Sequence, residues 1–180
     1  MSQTEAALFK AGTIQAADLA SGAITAGALP AGSILQVQST PKGTAFTGAS
    51  TSFADVTGFN VDITPVAAGS KVLVEANFVV SNTLGGRSMY FNLVRGSTTI
   101  AQPTTGNAND ATIQANTISF NYDVRVAKIQ FLDTPTYTLG DTINYKIQYK
   151  TDSGTVCVGR RGDRANEISL STITAFEVAA

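Results

Sequence analysis

Histidine and tryptophan are absent from this 180-residue chain, cysteine occurs once, and charged residues make up only 14% of it. Each shortage excludes something. Without histidine, the side chain that most often moves protons or ligates metals near neutral pH is missing. A lone Cys157 permits no intrachain disulfide and no thiolate metal site. Twelve Lys and Arg against thirteen Asp and Glu leave a net charge of −1, so no basic field draws in nucleic acid or anionic lipid. No apolar run approaches the roughly 20 residues that a membrane-spanning helix needs. At the N-terminus Glu5 precedes the first basic residue, Lys10, and no long apolar run follows, which does not fit a signal peptide. The expectation is a protein made in a cytoplasm, not exported by the usual route, and found outside the cell when built into a particle released by lysis. Few charges with many Thr, Ser, Asn and Gly suit a β-rich, uncharged surface.

What the chain does have is a repeat. Gly12-Thr13-Ile14, Gly22-Ala23-Ile24 and Gly32-Ser33-Ile34 recur every ten residues, and Phe9, Leu19 and Leu29 keep the same phase. Large apolar residues therefore fall five apart from Phe9 to Ile34, with mostly small residues between them. A single strand of that composition has no bulky neighbours to close over its large side chains; several copies side by side do. Ser2 and Glu5 fit the start of a short helix up to Lys10, but Gly12, Gly22, Gly27 and Pro30 make a continuous helix costly. The segment reads as extended. A threefold bundle would place Phe9, Ile14, Leu19, Ile24, Leu29 and Ile34 near a common axis, where glycine lets backbones approach. The competing reading is a low-complexity linker, which has no need of phased large side chains.

From Ile34 the pattern changes to period two, the signature of strands. Val72, Val74, Ala76, Phe78 and Val80 alternate with Leu73, Glu75, Asn77, Val79 and Ser81, and Met89, Phe91 and Leu93 alternate with Tyr90, Asn92 and Val94. The cleanest alternation is Ile118, Phe120, Tyr122, Val124 and Val126, which predicts a strand with those five facing the core. Ile143, Tyr145, Ile147 and Tyr149 form another such set. The last is Ile168, Leu170, Thr172, Thr174, Phe176 and Val178. Shorter strands are expected at 34–39, 53–63, 128–133 and 155–160. Turn chemistry fills the gaps: Ala68-Gly69-Ser70, Leu84-Gly85-Gly86, Gly140-Asp141 and Asp152-Ser153-Gly154. Many short strands and no convincing helix predict an all-β fold, a jelly-roll-like antiparallel β-sandwich over 34–180, preceded by an extended Gly/Ala-rich oligomerisation segment over 1–33.

No catalytic constellation emerges. The acidic residues are isolated in strands and turns, and no glycine-rich phosphate loop precedes a helix. Neither a cofactor nor a metal is expected, and the chain reads as non-enzymatic. The unpatterned stretch 102–111 is the candidate receptor loop through Asn107, Asn109 and Asp110, whose oxygens match no defined calcium loop. Arg161-Gly162-Asp163 spells an integrin-recognition tripeptide but reads more simply as a turn with solvated charges, close to Arg160 and Arg164. Cys157 reads as buried and inert. Tyr90, Tyr122, Tyr137, Tyr145 and Tyr149 would stack on sugars if exposed, but most sit at strand positions that suit a core.

Thr51-Ser52-Phe53-Ala54-Asp55-Val56-Thr57-Gly58-Phe59-Asn60-Val61-Asp62-Ile63-Thr64-Pro65, followed by Gly69-Ser70-Lys71-Val72-Leu73-Val74, resembles the head modules of bacteriophage and cyanophage tail-fibre and virion proteins. Phe91-Asn92-Leu93-Val94-Arg95-Gly96, Phe131-Leu132-Asp133-Thr134-Pro135 and Ser171-Thr172-Ile173-Thr174-Ala175-Phe176-Glu177 continue the resemblance over most of 35–178. Asp18-Leu19-Ala20-Ser21-Gly22-Ala23-Ile24-Thr25 looks like the linker repeats that precede such modules. The resemblance implies a trimeric β-sandwich head at the end of a fibre or on a capsid. The expected function is that of a virion structural protein, a short trimeric tail fibre mediating host attachment. The expected partners are further copies of the chain, another virion protein held by the N-terminal segment, and a host receptor or glycan. Neither nucleic acid nor membrane insertion is expected. A capsid decoration or head-fibre protein stabilising the shell is the first alternative, and a small carbohydrate-active tailspike the second.

Overall fold

The computed structural model describes residue 25, residues 28–120 and residues 123–180. Within them lie eleven strands and no α-helix: β1 Ile34–Lys42, β2 Phe46–Gly48, β3 Ala54–Ile63, β4 Lys71–Asn82, β5 Ser88–Arg95, β6 Thr98–Ile100, β7 Ile113–Asn116, β8 Val124–Asp133, β9 Ile143–Thr151, β10 Val156–Val158 and β11 Ser171–Val178. All pairings between them are antiparallel. In the first sheet β11 lies between β1 and β4, and β8 flanks the far side of β4. The short β10 continues the β11 side of β4 and carries β2. In the second sheet β9 lies between β3 and β5, with β6 and β7 sharing the outer side of β5. The orders β1-β11-β4-β8 and β3-β9-β5-β7 are those of an eight-stranded jelly roll. The sandwich predicted from alternation is thus the observed fold.

The core is the space between the sheets. Val72, Val74, Ala76, Phe78 and Val80 of β4 enter it from one side; Met89, Phe91 and Leu93 of β5 and Ile143, Tyr145, Ile147 and Tyr149 of β9 enter from the other. Phe78 is the centre of an aromatic chain, edge-on to Phe59 at 5.4 Å and to Phe91 at 5.2 Å. Those contacts join β3, β4 and β5 across the two layers. Each adds about 0.5–1.5 kcal/mol beyond area burial.

Two predicted faces are corrected by the structure. The stretch 117–126 is not one continuous strand: β8 begins at Val124. Ahead of it the Asp123 carboxylate accepts hydrogen bonds from the Ile118 N–H at 2.7 Å and the Ser119 N–H at 3.4 Å, and the Asp123 N–H donates to the Phe120 carbonyl. Such local side-chain-to-backbone closure competes with strand pairing. Ile118 is 70% and Phe120 54% exposed, and Val126 is 80% exposed on the outer face opposite Val79; Ala127 and Ile129 take the core positions instead. Tyr122 lies outside the described residues.

The second correction is β11. Ser171, Ile173, Ala175 and Glu177 face inward, while Thr172, Thr174, Phe176 and Val178 lie on the outer face and Ile168 and Leu170 are exposed. Apolar residues occupy both parities of this strand, so alternation does not choose the register, and a slip of one residue exchanges the faces.

The two phenylalanines separate these environments. Phe78→Ala is expected to lower stability by about 3–5 kcal/mol. Phe120→Ala should stay within about 1 kcal/mol of the parent. Urea unfolding midpoints of the two variants provide the check, and similar losses would mean that 118–120 packs into the core after all.

Candidate functional site

One end of the sandwich, where β1 begins and β11 finishes, holds two buried carboxylates. Glu177 of β11 and Asp133 of β8 sit in one inward-facing row, Gln36–Glu177–Val72–Asp133, across four strands. Both are buried. The Glu177 carboxylate accepts hydrogen bonds from Gln36 Nε2 at 2.6 Å, from the Val66 N–H at 3.0 Å and from the Ala67 N–H at 3.0 Å. Burial by itself would raise its pKa; the hydrogen bonds from Gln36, Val66 and Ala67 outweigh that and hold it below the ordinary glutamate value. Asp133 accepts from Arg95 Nη1 at 2.7 and 2.8 Å and from the Tyr145 hydroxyl at 2.8 Å. The burial of Tyr145, reinforced by that carboxylate, pushes its phenol pKa up. Arg95 is on β5 and Tyr145 on β9, so this cluster ties the second sheet to the first. Each carboxylate oxygen of the pair has a donor, and the arrangement is a structural closure of the sandwich.

The loop between β6 and β7 contains the candidate receptor residues. Asp110 accepts both Thr105 Oγ1, at 2.8 Å, and the Asn107 N–H, at 3.2 Å. Asn107 Nδ2 donates to Thr105 Oγ1 at 2.7 Å. Lys150 Nζ donates to Asn109 Oδ1 at 2.9 Å and to the Ala108 carbonyl at 2.7 Å, and lies 5.7 Å from the ring centres of Phe53 and Tyr90. The Thr112 N–H donates to Asn92 Oδ1. The loop is therefore fastened across the outer face of the second sheet, where Tyr90, Asn92 and Val94 are buried although they point away from the core. Its oxygens serve the loop's own fold. Among the described residues no group of three His, Cys, Asp or Glu side chains is placed to hold a metal ion.

The Arg161-Gly162-Asp163 turn is similarly self-paired. Arg161 Nε and Nη2 donate to the two Asp163 oxygens at 3.1 and 3.0 Å, and Glu167 lies 3.7 Å from Arg161. Cys157 is fully buried in β10, where burial pushes its thiol pKa up. Tyr145 and Tyr149 face the core, and Tyr137 packs beside it and donates to the Ala67 carbonyl.

Of the residues proposed to line a threefold axis, Phe9, Ile14, Leu19 and Ile24 lie outside the described residues, as does the proposed helix over 2–10. Leu29 and Ile34 are described, and both are exposed. Ile34 opens β1 opposite Val178. Beside that pair, one row crosses the outer face of the first sheet: Val37 opposite Phe176, Phe176 opposite Leu73, Leu73 opposite Leu132. Val37 is 50% and Leu132 47% exposed. Neither this row nor the carboxylate pair is apparent from alternation alone. The available signal is the sequence Phe176-Glu177-Val178, an acid between two large apolar residues in a strand.

No family model matches the chain, and no curated protein matches it. Among solved structures it is similar to the vertex protein P5 of PRD1, at 13% identity and a TM-score of 0.44 over 82% of this chain and 99% of that one. It is also similar to the infectious bursal disease virus particle, at 14% identity and a TM-score of 0.40 over 81% of this chain and 36% of that one. The VP2 subviral particle of the same virus matches at 15% identity and a TM-score of 0.38, over 82% and 39%. This chain spans little more than a third of the latter two.

Glu177 makes the fold sensitive to acid in a defined direction. A carboxylate whose folded pKa lies below its unfolded value stabilises above the unfolded value, near 4.5, and that contribution is lost as pH falls through the folded value. Parent stability should therefore decline below about pH 5. Glu177→Gln should be less stable at pH 7, since its amide cannot accept from every donor that the carboxylate serves. It should also show a shallower acid decline. Urea midpoints from pH 7 to 3 measure both, and parallel curves would remove Glu177 from the acid transition.

Proposed function

We propose that this protein is a non-enzymatic virion structural protein, a short homotrimeric fibre that mediates host attachment. The observation that carries this reading is the phased apolar repeat leading directly into a jelly-roll head. Large residues every fifth position from Phe9 to Ile34 need neighbours that a single chain does not provide. Three copies related by cyclic symmetry supply them. The N-terminal segment then both holds the trimer and attaches it to another virion protein, and the head projects outward. The resemblance of residues 51–74 and the later segments to phage head modules supports the virion setting.

The far end of the head, away from Ile34, is where attachment contacts fit best. Leu84, Ile118, Phe120, Val124, Ile168 and Leu170 are all exposed there or beside it. Weak contacts by each head, multiplied within a trimer and across several fibres, give strong avidity without a deep pocket.

Light scattering on the full chain is expected to give the mass of three chains at micromolar concentration. Ile24→Asp should shift that mass to one chain, because three unpaired carboxylates would meet at the axis. A parent monomer, or an Ile24→Asp trimer, would overturn the axis assignment. Reconstruction of the whole particle is expected to place the protein on the tail; density over the capsid shell would instead favour a decoration protein.

A further inference from the structure

The two outer faces of the sandwich are unlike each other. On the second sheet, Asn144, Lys146, Gln148 and Lys150 line β9, and the loop before β7 covers β5. Lys146 and Gln148 are further satisfied by Asp55 at 2.7 and 2.8 Å. That face is polar or already covered.

Among the described residues, none lies over the outer face of the first sheet in that way. Its middle is polar, with Ser39 and Thr174 sharing a hydrogen bond and Gln130 donating to Glu75. Its end nearest the N-terminal segment carries one row that is apolar across all four strands, Val37 of β1, Phe176 of β11, Leu73 of β4 and Leu132 of β8, with Ile34 and Val178 beside it and Lys71 of β4 next to Val178. These residues are contiguous by register, since directly opposed side chains on one face lie about 4.5–5.5 Å apart at Cβ. Beside the patch, β8 pairs as a strand with β4 alone, and an exposed strand edge is a surface that proteins ordinarily cover.

Ile34 belongs to both features. It is the last residue of the ten-residue phase and the corner of this patch. We infer that the outer face of the first sheet, at its Ile34 end, is a subunit interface: the apolar stripe continues from the N-terminal segment onto the head, and Val37, Leu73, Leu132 and Phe176 pack against a second copy of this chain. This rests on the trimeric reading above. A threefold arrangement of the phased residues carries Ile34 toward the axis, and the surface adjoining Ile34 is then brought toward its symmetry mates. The heads are held to one another as well as tethered, which fixes the orientation of their far ends.

Light scattering on the full chain over a dilution series tests the assignment. Val37→Lys and Leu132→Lys should each raise the concentration at which trimers half-dissociate by about tenfold or more. Gln114→Lys, exposed on β7 of the other sheet, should leave it unchanged. Urea midpoints establish that the variants fold. If they do not, hydroxyl-radical footprinting of the parent gives the same information: Val37, Leu132 and Phe176 should be protected in concentrated samples and labelled on dilution. A parent that is a monomer overturns the trimeric reading and the interface together. Trimers in both lysine variants with unchanged half-dissociation overturn the interface alone. Protection that persists in a monomer also overturns it, and assigns the patch to the chain's own N-terminal segment.

Discussion

Glu177 lies in the space between the sheets with its carboxylate held by Gln36 and by two backbone N–H groups of the β3–β4 connection. An ionised side chain at such a site is tolerable only when its oxygens are satisfied, and here β1 and the β3–β4 connection converge on it to do that. The consequence runs along the whole strand. With Glu177 inward, Ala175, Ile173 and Ser171 must also be inward, and Phe176 and Val178 must be outward. β11 is the second strand of its sheet, paired on both sides, so its register is shared with β1 and β4. The apolar row on the outer face is the counterpart of the buried acid.

The same end of the sandwich is closed a second time by Asp133, which receives Arg95 and Tyr145 from the opposite sheet. Between the two carboxylates stands Val72, the first inward residue of β4. The core proper, built around Phe59, Phe78 and Phe91, is thus bounded at this end by polar contacts of fixed geometry. Nonpolar packing sets the thickness of the sandwich, and the carboxylates set how its strands align. These polar contacts close the end where β1 begins, and Ile118, Phe120, Ile168 and Leu170 are exposed at the other.

The surface also sorts the functional possibilities. The loop holding Asn107, Asn109 and Asp110 is fastened to Lys150 and to itself, and its polar atoms are occupied by the fold. Arg161 and Asp163 satisfy each other. Among the described residues, exposed apolar side chains form a row beside Ile34 on one face and gather again at the far end.

Much of the fold was legible in the residues. Alternation in β9 is one-sided, and in β4 and β5 the inward parity is apolar from Val72 to Val80 and from Met89 to Leu93 while Leu73, Val79, Tyr90 and Val94 share the other parity with polar residues, so the inward faces of those strands follow from sequence. The turns at Gly69, Gly86, Gly140 and Gly154 are equally plain, each with a positive φ. Alternation misled where neither parity is uniformly apolar, as in β11, and where a local acceptor interrupts the chain, as Asp123 does ahead of β8. The residues alone point to an all-β sandwich, exclude histidine chemistry and an intrachain disulfide, and carry a ten-residue apolar phase ending at Ile34. Which side of β11 meets the core, the outward placement of Phe120 and Val126, and the four-strand apolar row beside Ile34 emerge from packing. Those outcomes depend on partners distant in sequence, Gln36, Val66 and Ala67 for Glu177 and Leu73 and Leu132 for Phe176, and no local pattern encodes which strand will lie alongside.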